Sequence, residues 1–205
     1  MHYYDFGGLM TRMLEILDRM RELEADLEHE VAAAQERWHY KFEAGKVRFE
    51  SEVRRRHLLL KTSIRRYLRE SDVPSMLSAP IVYSVLLPFM LIDVWVSLYQ
   101  RICFPIYGIA RVRRADYIAV DRWKLAYLNT IEKANCDYCG YVNGLLSYVR
   151  EVSARTEQYW CPIKHARRIR TPHSRYRHFV DYGDAEGYKR ELPVLRDALR
   201  DEKRP

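Results

Sequence analysis

The chain has 205 residues, and its 35 Lys and Arg against 28 Asp and Glu leave a net charge of +7. This length predicts one domain with an extension or two small units, and the charge favours anionic partners such as phospholipid head groups or nucleic acid. The first six residues lack a secretory-signal pattern, so the four cysteines are expected to be reduced thiols or metal ligands rather than a disulfide framework.

Residues 1–72 have the pattern of a long amphipathic helix. Apolar side chains recur at alternating steps of three and four from Met13 to Leu68, which predicts a narrow coiled-coil-like seam. Gly45 weakens the middle, so a break near Ala44 and Gly45 into two antiparallel helices is the alternative. The first half is acidic and the second half basic, and an apolar seam needs a second surface to cover it. The region is therefore expected to mediate self-association or partner docking.

Residues 73–110 form an apolar segment that predicts contact with a bilayer. From Pro80 to Gly108 the only acidic or basic side chains are Asp93 and Arg101. Read as one span the segment has about the ~20 residues of a bilayer crossing. Basic clusters flank both ends of the segment, and basic flanks tend to stay in the cytoplasm. The pattern therefore favours a re-entrant hairpin with arms 76–87 and 89–107, which leaves both clusters on that side. Seven residues are predicted to insert: Leu86, Leu87, Pro88, Phe89, Met90, Leu91 and Trp95. A buried pair of core helices is the alternative.

Asp93 and Arg101 lie eight residues apart, on one face of a helix. Burying either charge alone is costly, so the sequence predicts a buried polar pair between them.

Residues 111–205 are predicted to form a basic module that contains cysteine and histidine. Short helices are expected near 122–133 and 145–158, with a loop between them that carries Cys136 and Cys139. Together with Cys161 and His165 these thiols give a C-x2-C-x21-C-x3-H pattern, typical of a tetrahedral zinc site, with iron as an alternative metal. If the stretch before Cys161 were one straight helix, a shared site would be impossible. The two cysteines would then form a redox dithiol at a helix start, or stay unligated.

A run of basic residues without an acid follows Cys161, interleaved with aromatic side chains. Next to an apolar insertion such a run is expected to bind anionic lipid; nucleic acid is the less favoured ligand, although phosphate contacts use the same side chains. The run contains Lys164, Arg167, Arg168, Arg170, Arg175 and Arg177.

Three motifs within 86–188 are similar to those of a family of bacterial membrane-associated proteins that has no established activity. They are Ile-Cys-Phe-Pro-Ile-Tyr-Gly from Ile102, Asn-Cys-x-Tyr-Cys from Asn135, and Arg-Thr-Glu-Gln-Tyr-Trp-Cys-Pro-Ile-Lys-His from Arg155. The resemblance implies a bacterial protein on the cytoplasmic side of the inner membrane and carries no mechanism.

Together these patterns predict a mostly α protein: a long amphipathic helix or helical hairpin, a membrane-inserted helical hairpin and a small Cys/His module. The sequence lacks a Gly-rich phosphate loop, G-x-S-x-G and H-E-x-x-H, so a catalyst is less favoured than a membrane-associated adaptor or scaffold with a structural metal. A membrane-associated thiol or iron redox protein is the first alternative. A soluble nucleic-acid-binding protein is the second.

Overall fold

The computed structural model describes residues 6–37, 40–43, 46–49 and 51–202. The prediction of a mostly helical chain is confirmed for these residues, and they form two compact units, 1–61 and 62–205.

The first unit contains two helices and one β-hairpin. Helix α1 (Phe6–Arg37) is followed by strands β1 (Tyr40–Glu43) and β2 (Lys46–Phe49), and then by helix α2 (Ser51–Leu59). The strands are antiparallel, with Tyr40 opposite Phe49 and Glu43 opposite Lys46. The predicted continuous helix is therefore wrong beyond Arg37. The alternative of two helices separated by a break is closer to the structure, in which a β-hairpin separates α1 from α2. Alternating residues such as Tyr40, Phe42 and Val47 favour a strand locally, and this preference outweighs the helical spacing.

The second unit begins with two short capped helices and a long apolar one. Helix α3 (Ile64–Glu70) has Ser63 as its N-cap, and helix α4 (Val73–Ser84) has Asp72, whose carboxylate accepts from the Ser75 amide at 3.1 Å. Helix α5 (Leu86–Tyr107) follows after Val85 alone, and it ends at Gly108, whose φ of 76° is readily adopted by glycine.

The chain does not reverse at Pro88, so the predicted re-entrant hairpin is not present. Val85 keeps helical dihedrals (φ −65°, ψ −18°), and α4 and α5 together form one apolar helical segment of 35 residues, Val73–Tyr107. Pro88 lies in the first turn of α5, where the missing amide hydrogen would have no helical partner in any case. This position explains why the proline does not turn the chain.

Helix α6 (Thr130–Trp160) packs parallel to α5 along most of its length. Asp93, Tyr99 and Tyr107 of α5 contact Tyr141, Thr156 and Tyr159 of α6 in the same order. A parallel pair requires a connection that returns over the whole helix length. The connecting segment 109–129 does this along α6 and contains two short 3-10 turns, Arg114–Asp116 and Arg122–Lys124.

Two glycines four residues apart on α6 let the returning segment lie close to the helix. A Cβ on Gly144 would approach the Tyr117 carbonyl oxygen to 2.5 Å and the Ile118 Cα to 3.0 Å. A Cβ on Gly140 would meet the Ala119 carbonyl oxygen at 3.5 Å, an ordinary contact.

We expect Gly144→Ala to lower the free energy of unfolding by about 1–3 kcal/mol, because the added methyl group overpacks against backbone that cannot move aside cheaply. Gly140→Ala is the matched control, and its better helix propensity is expected to stabilise the protein by up to about 1 kcal/mol. Urea denaturation of both variants measures the difference. Equal effects of the two substitutions would show that the returning segment does not lie on α6 at Gly144.

The core of the second unit lies where α5, the returning segment, α6 and helix α7 (Ala185–Asp201) meet. Seven buried side chains form it: Phe104, Ile109, Val112, Leu145, Tyr148, Val152 and Leu199. Buried Gln100 accepts from the Val112 amide at 3.0 Å and donates to the Val112 carbonyl oxygen at 3.2 Å, and it also donates to the Tyr148 hydroxyl. This side chain therefore fixes the returning segment to α5.

A partly buried ion network ties α6 to the carboxy-terminal end of the unit. Glu151 accepts from Arg155 and from Arg175, each at 2.8 Å, and Arg175 also pairs with Glu202 at 2.7 Å. Arg175 was predicted to bind anionic lipid, but its side chain is only 15% exposed and its guanidinium is occupied within this network. Its role here is structural.

The network predicts an acid-sensitive fold. Burial alone would raise the pKa of Glu151, but hydrogen bonds from Arg155 and Arg175 outweigh burial and lower it. A carboxyl group whose pKa is lower in the folded state stabilises the fold above its unfolded pKa of about 4.3 and loses that contribution as the pH falls through the folded value. We expect Glu151→Gln to cost about 2–3 kcal/mol at neutral pH and to flatten the loss of stability in acid.

Thermal unfolding across pH measures this effect, with Glu186→Gln as the control because Glu186 is exposed on α7. A Glu151→Gln variant that kept the wild-type pH profile would contradict the assignment.

Candidate functional site

The α4–α5 segment of the second unit carries an exposed apolar face. This segment is the one helix in the described part of the chain that is long and apolar enough to cross a membrane, and none of its most apolar window is buried. Trp95 and Ile106 are each 74% exposed. We call the following residues the exposed apolar face: Leu77, Ile81, Leu87, Leu91, Trp95, Leu98, Ile102 and Ile106.

On α5 this face is a single stripe, because its residues recur every three or four positions from Leu87 to Ile106. The opposite stripe of α5, including Val96, Gln100 and Phe104, packs into the unit. Helix α4 has no buried residue. The segment thus exposes more apolar side-chain surface than is usual for a protein surface in contact with water.

The structure places the residues predicted to insert on two sides of the helix. Five of them are exposed: Leu87, Pro88, Met90, Leu91 and Trp95. Leu86 and Phe89 are half-buried, and Phe89 packs against the core. The prediction located the segment but did not separate its outward and inward faces.

Asp93 does not pair with Arg101, so the predicted buried pair is wrong. Arg101 is exposed, whereas Asp93 points to the inward side and binds Arg114 in the returning segment. The Arg114 Nη2 to Asp93 Oδ2 distance is 2.7 Å, and Arg114 Nε contacts both carboxylate oxygens at 3.0 and 3.2 Å. The sequence spacing of eight did not reveal this partner, because Arg114 approaches from outside the helix.

The Asp93 carboxylate also accepts a hydrogen bond from the Tyr141 hydroxyl at 2.9 Å. The hydrogen bond from Arg114 outweighs burial and lowers the pKa of Asp93. Burial, followed by the contact with Asp93, raises the pKa of Tyr141. Asp93 is therefore an ion-paired carboxylate, and Tyr141 is a neutral donor between α5 and α6.

The four predicted metal ligands do not come together. Cys136 and Cys139 lie inside α6, and Cys161 is the residue that ends this helix, 22 positions after Cys139. At 1.5 Å per residue the separation is about 33 Å, so one tetrahedral site on all four residues does not form. The residues that the structure describes contain no group of three or more His, Cys, Asp or Glu able to hold a metal. Zinc or iron binding by the protein stays a prediction.

The alternative of a redox dithiol at a helix start is also not matched by this geometry. Cys136 follows the N-cap Asn129 by seven residues, whereas the helix dipole acts mainly within the first turn. Cys136 is half-buried and Cys139 is exposed, and both are free thiols.

The basic run is divided between structural and exposed residues. Lys164 pairs with Asp181 at 2.7 Å, and Arg175 belongs to the ion network. The exposed members are Arg167, Arg168, Arg170 and Arg177. The first three follow the carboxyl end of α6, where Tyr159 stacks on Tyr107 at the end of α5 with 5.0 Å between ring centroids. They thus follow, within ten residues, a helix end that packs against the end of α5.

Sequence reasoning missed a groove between the α4–α5 segment and the start of α6. Two adjoining cavities of about 400 and 590 Å³ share Tyr83 and Tyr138 as lining residues. Tyr138 donates to the Val82 carbonyl oxygen at 3.0 Å, and Tyr83 donates to the Asn135 side chain. We call these two cavities the interhelix groove. Only the packing of distant segments creates it, so no local motif signals it.

Known proteins add no assignment to these observations. No protein-family model matches the chain, and neither the curated proteins nor the solved structures contain a significant match.

Proposed function

We propose that the protein is a monotopic membrane adaptor whose α4–α5 segment lies in the surface of a bilayer. The observation that carries this proposal is the exposed apolar face, which continues along the segment from Leu77 to Ile106. Burying a large apolar side chain contributes roughly 1.5–3 kcal/mol, so several of them together suffice to hold a protein on lipid.

The length of the segment and its packing beside α6 favour an orientation in the plane of the bilayer over a crossing. First, 35 helical residues extend about 52 Å, whereas the hydrocarbon layer is about 30 Å thick. Second, α6 runs beside α5, so a crossing would take α6 into the hydrocarbon as well. This helix carries seven acidic or basic side chains, and each costs about 2.5–3.5 kcal/mol at the bilayer centre.

Basic residues near both ends of the segment support contact with anionic head groups. Arg65, Arg66 and Arg69 precede it, and Arg111 and Arg113 follow it. Arg101 interrupts the exposed apolar face itself, and its long side chain can keep the guanidinium at the phosphate level while the methylenes remain in the apolar layer. The cytoplasmic leaflet carries the negative lipids that such residues attract, which favours this side of a bacterial inner membrane.

The adaptor part of the proposal rests on the first unit. On α1, Leu23, Leu27 and Val31 recur every four residues and are all exposed, the first two by more than 60%. An apolar stripe of this kind pairs with a second helix in coiled coils. The unit is therefore proposed to bind a second copy or a partner protein, while the second unit holds the chain at the membrane.

Vesicle flotation tests the proposal. We expect the purified protein to float with vesicles that contain anionic lipid, to float more weakly with purely zwitterionic vesicles, and to be only partly released by high salt because the apolar contacts are insensitive to salt. Protein that stays at the bottom of the gradient with every vesicle would contradict membrane attachment. Salt-sensitive binding to DNA or RNA without flotation would favour the nucleic-acid alternative.

A further inference from the structure

We propose that helix α1 binds a basic amphipathic helix of a partner protein, and that Glu24 selects this partner over a second copy of the chain. The inference rests on the proposed adaptor function and goes further, because it names the chemistry of the partner. The apolar part of the docking surface is the exposed stripe of Leu23, Leu27 and Val31.

The second half of α1 concentrates acidic residues in a chain that is basic as a whole. Residues 22–36 contain six acids and no Lys or Arg, so they contribute −6 to a chain whose total charge is +7. A surface of this charge is repelled by anionic lipid and attracts cationic partners. It is therefore suited to a basic protein rather than to the membrane. The six acids are Glu22, Glu24, Asp26, Glu28, Glu30 and Glu36.

The first five of these acids are available to a partner. All five are exposed, and none of them forms an ion pair in the part of the chain that the structure describes. Glu52 of α2, in contrast, pairs with Arg56 at 3.4 Å. An acid without such a pair can meet a basic partner without breaking an existing contact.

Glu24 lies within the apolar stripe rather than on the opposite face of α1. It precedes Leu27 by three residues and Val31 by seven, so these side chains take the positions that form the seam of a coiled coil. An in-register pair with α1 of a second copy would place two Glu24 carboxylates against each other in the seam, and this repulsion opposes self-association. A partner helix with Lys or Arg at the same position forms an ion pair instead.

Glu28 and Glu30 lie on the two flanks of the stripe. With Glu24 and Val31 in the seam, they take the e and g positions, whose charges determine the choice of partner in coiled coils. Three carboxylates thus lie within three positions of Leu27. A helix with basic residues at the matching positions complements all three of them and covers the apolar stripe.

Two designed peptides measure this preference. Each is a helix of about four heptads with Leu and Val in its seam, and it carries either Lys or Glu at the e and g positions and at the seam position opposite Glu24. Their binding to the full chain in a non-ionic detergent is measured by titration calorimetry. We expect the Lys peptide to bind at least about tenfold tighter than the Glu peptide, which places like charges in contact with α1.

Charge reversal at Glu24 tests the named residue. Glu24→Lys is expected to weaken binding of the Lys peptide by about tenfold or more and to strengthen binding of the Glu peptide. Glu22→Lys is the matched control, because it changes the net charge equally but lies two residues away, on the opposite side of the helix. It should change either affinity by less than about fivefold. Circular dichroism checks that both variants keep their helices.

Equal binding of the two peptides by the wild-type chain, or equal effects of Glu24→Lys and Glu22→Lys, would overturn the inference. A wild-type dimer in sedimentation that Leu27→Glu dissociates would assign the stripe to a second copy and would overturn it as well. Vesicle flotation does not involve α1, so it stays positive in each of these cases. Loss of flotation would instead overturn membrane attachment, and the two failures are distinguished.

Discussion

Replacing Leu91, Trp95 and Leu98 with glutamate is expected to release the protein from vesicles and to lower its partition coefficient by about a thousandfold or more. Each side chain lies on the exposed apolar face and is 45–74% exposed, so the fold loses little when it is changed. The bilayer, in contrast, loses three apolar contacts and would have to accept three charges. Flotation gives the bound fraction, and circular dichroism checks that the helices are retained.

The matched control places three glutamates at exposed apolar residues elsewhere in the same unit: Val120, Trp123 and Val194. This control changes charge and apolar surface by similar amounts but leaves the face intact, so it is expected to stay on the vesicles. Equal loss in both variants would attribute the effect to net charge. Full retention of the first variant would show that another surface binds lipid.

The second large effect is expected at Gln100. Substitution by leucine keeps the size of the side chain but leaves the amide and the carbonyl group of Val112 without their hydrogen-bond partner in a buried position. At about 1–3 kcal/mol for each unsatisfied buried group, Gln100→Leu should cost about 2–6 kcal/mol of unfolding free energy. The adjacent substitution Arg101→Leu changes an exposed side chain and should cost less than about 0.5 kcal/mol.

Urea denaturation followed by tryptophan fluorescence measures both variants. A Gln100→Leu protein as stable as the wild type would mean that the returning segment does not depend on this side chain, and the position of Arg114 beside Asp93 would then need another cause.

The sequence predicted the features that depend on a single secondary-structure element. The apolar composition of 80–108 predicted an apolar helical segment, which is confirmed, but it did not indicate which face of that segment packs into the unit. Five of the seven residues predicted to insert, including Leu91 and Trp95, are exposed. The acidic and basic halves of the first 72 residues were also evident, although the β-hairpin at 40–49 was not. Its strands have only four residues each, too few for an alternating pattern to stand out from a helical one.

The sequence did not predict the contacts between segments that are distant along the chain. The partner of Asp93 arrives from the returning segment, and no spacing within α5 indicates Arg114. The stretch with Cys136 and Cys139 was predicted to be a loop, but it belongs to a continuous helix, on which Gly140 and Gly144 permit close packing. That error produced the predicted metal site, because a loop would have brought the cysteines together and a helix separates them.

Depth measurement along the exposed apolar face tests the central claim most directly. Spin labels at Leu87, Leu91, Leu98 and Ile102, one at a time in a variant with the four native cysteines replaced by serine, report how deeply each position enters the bilayer. A segment in the membrane plane predicts nearly equal, shallow depths at all four positions. Depths that change steadily from Leu87 to Ile102 would show a crossing helix, and labels accessible only to water would show that this face does not bind lipid.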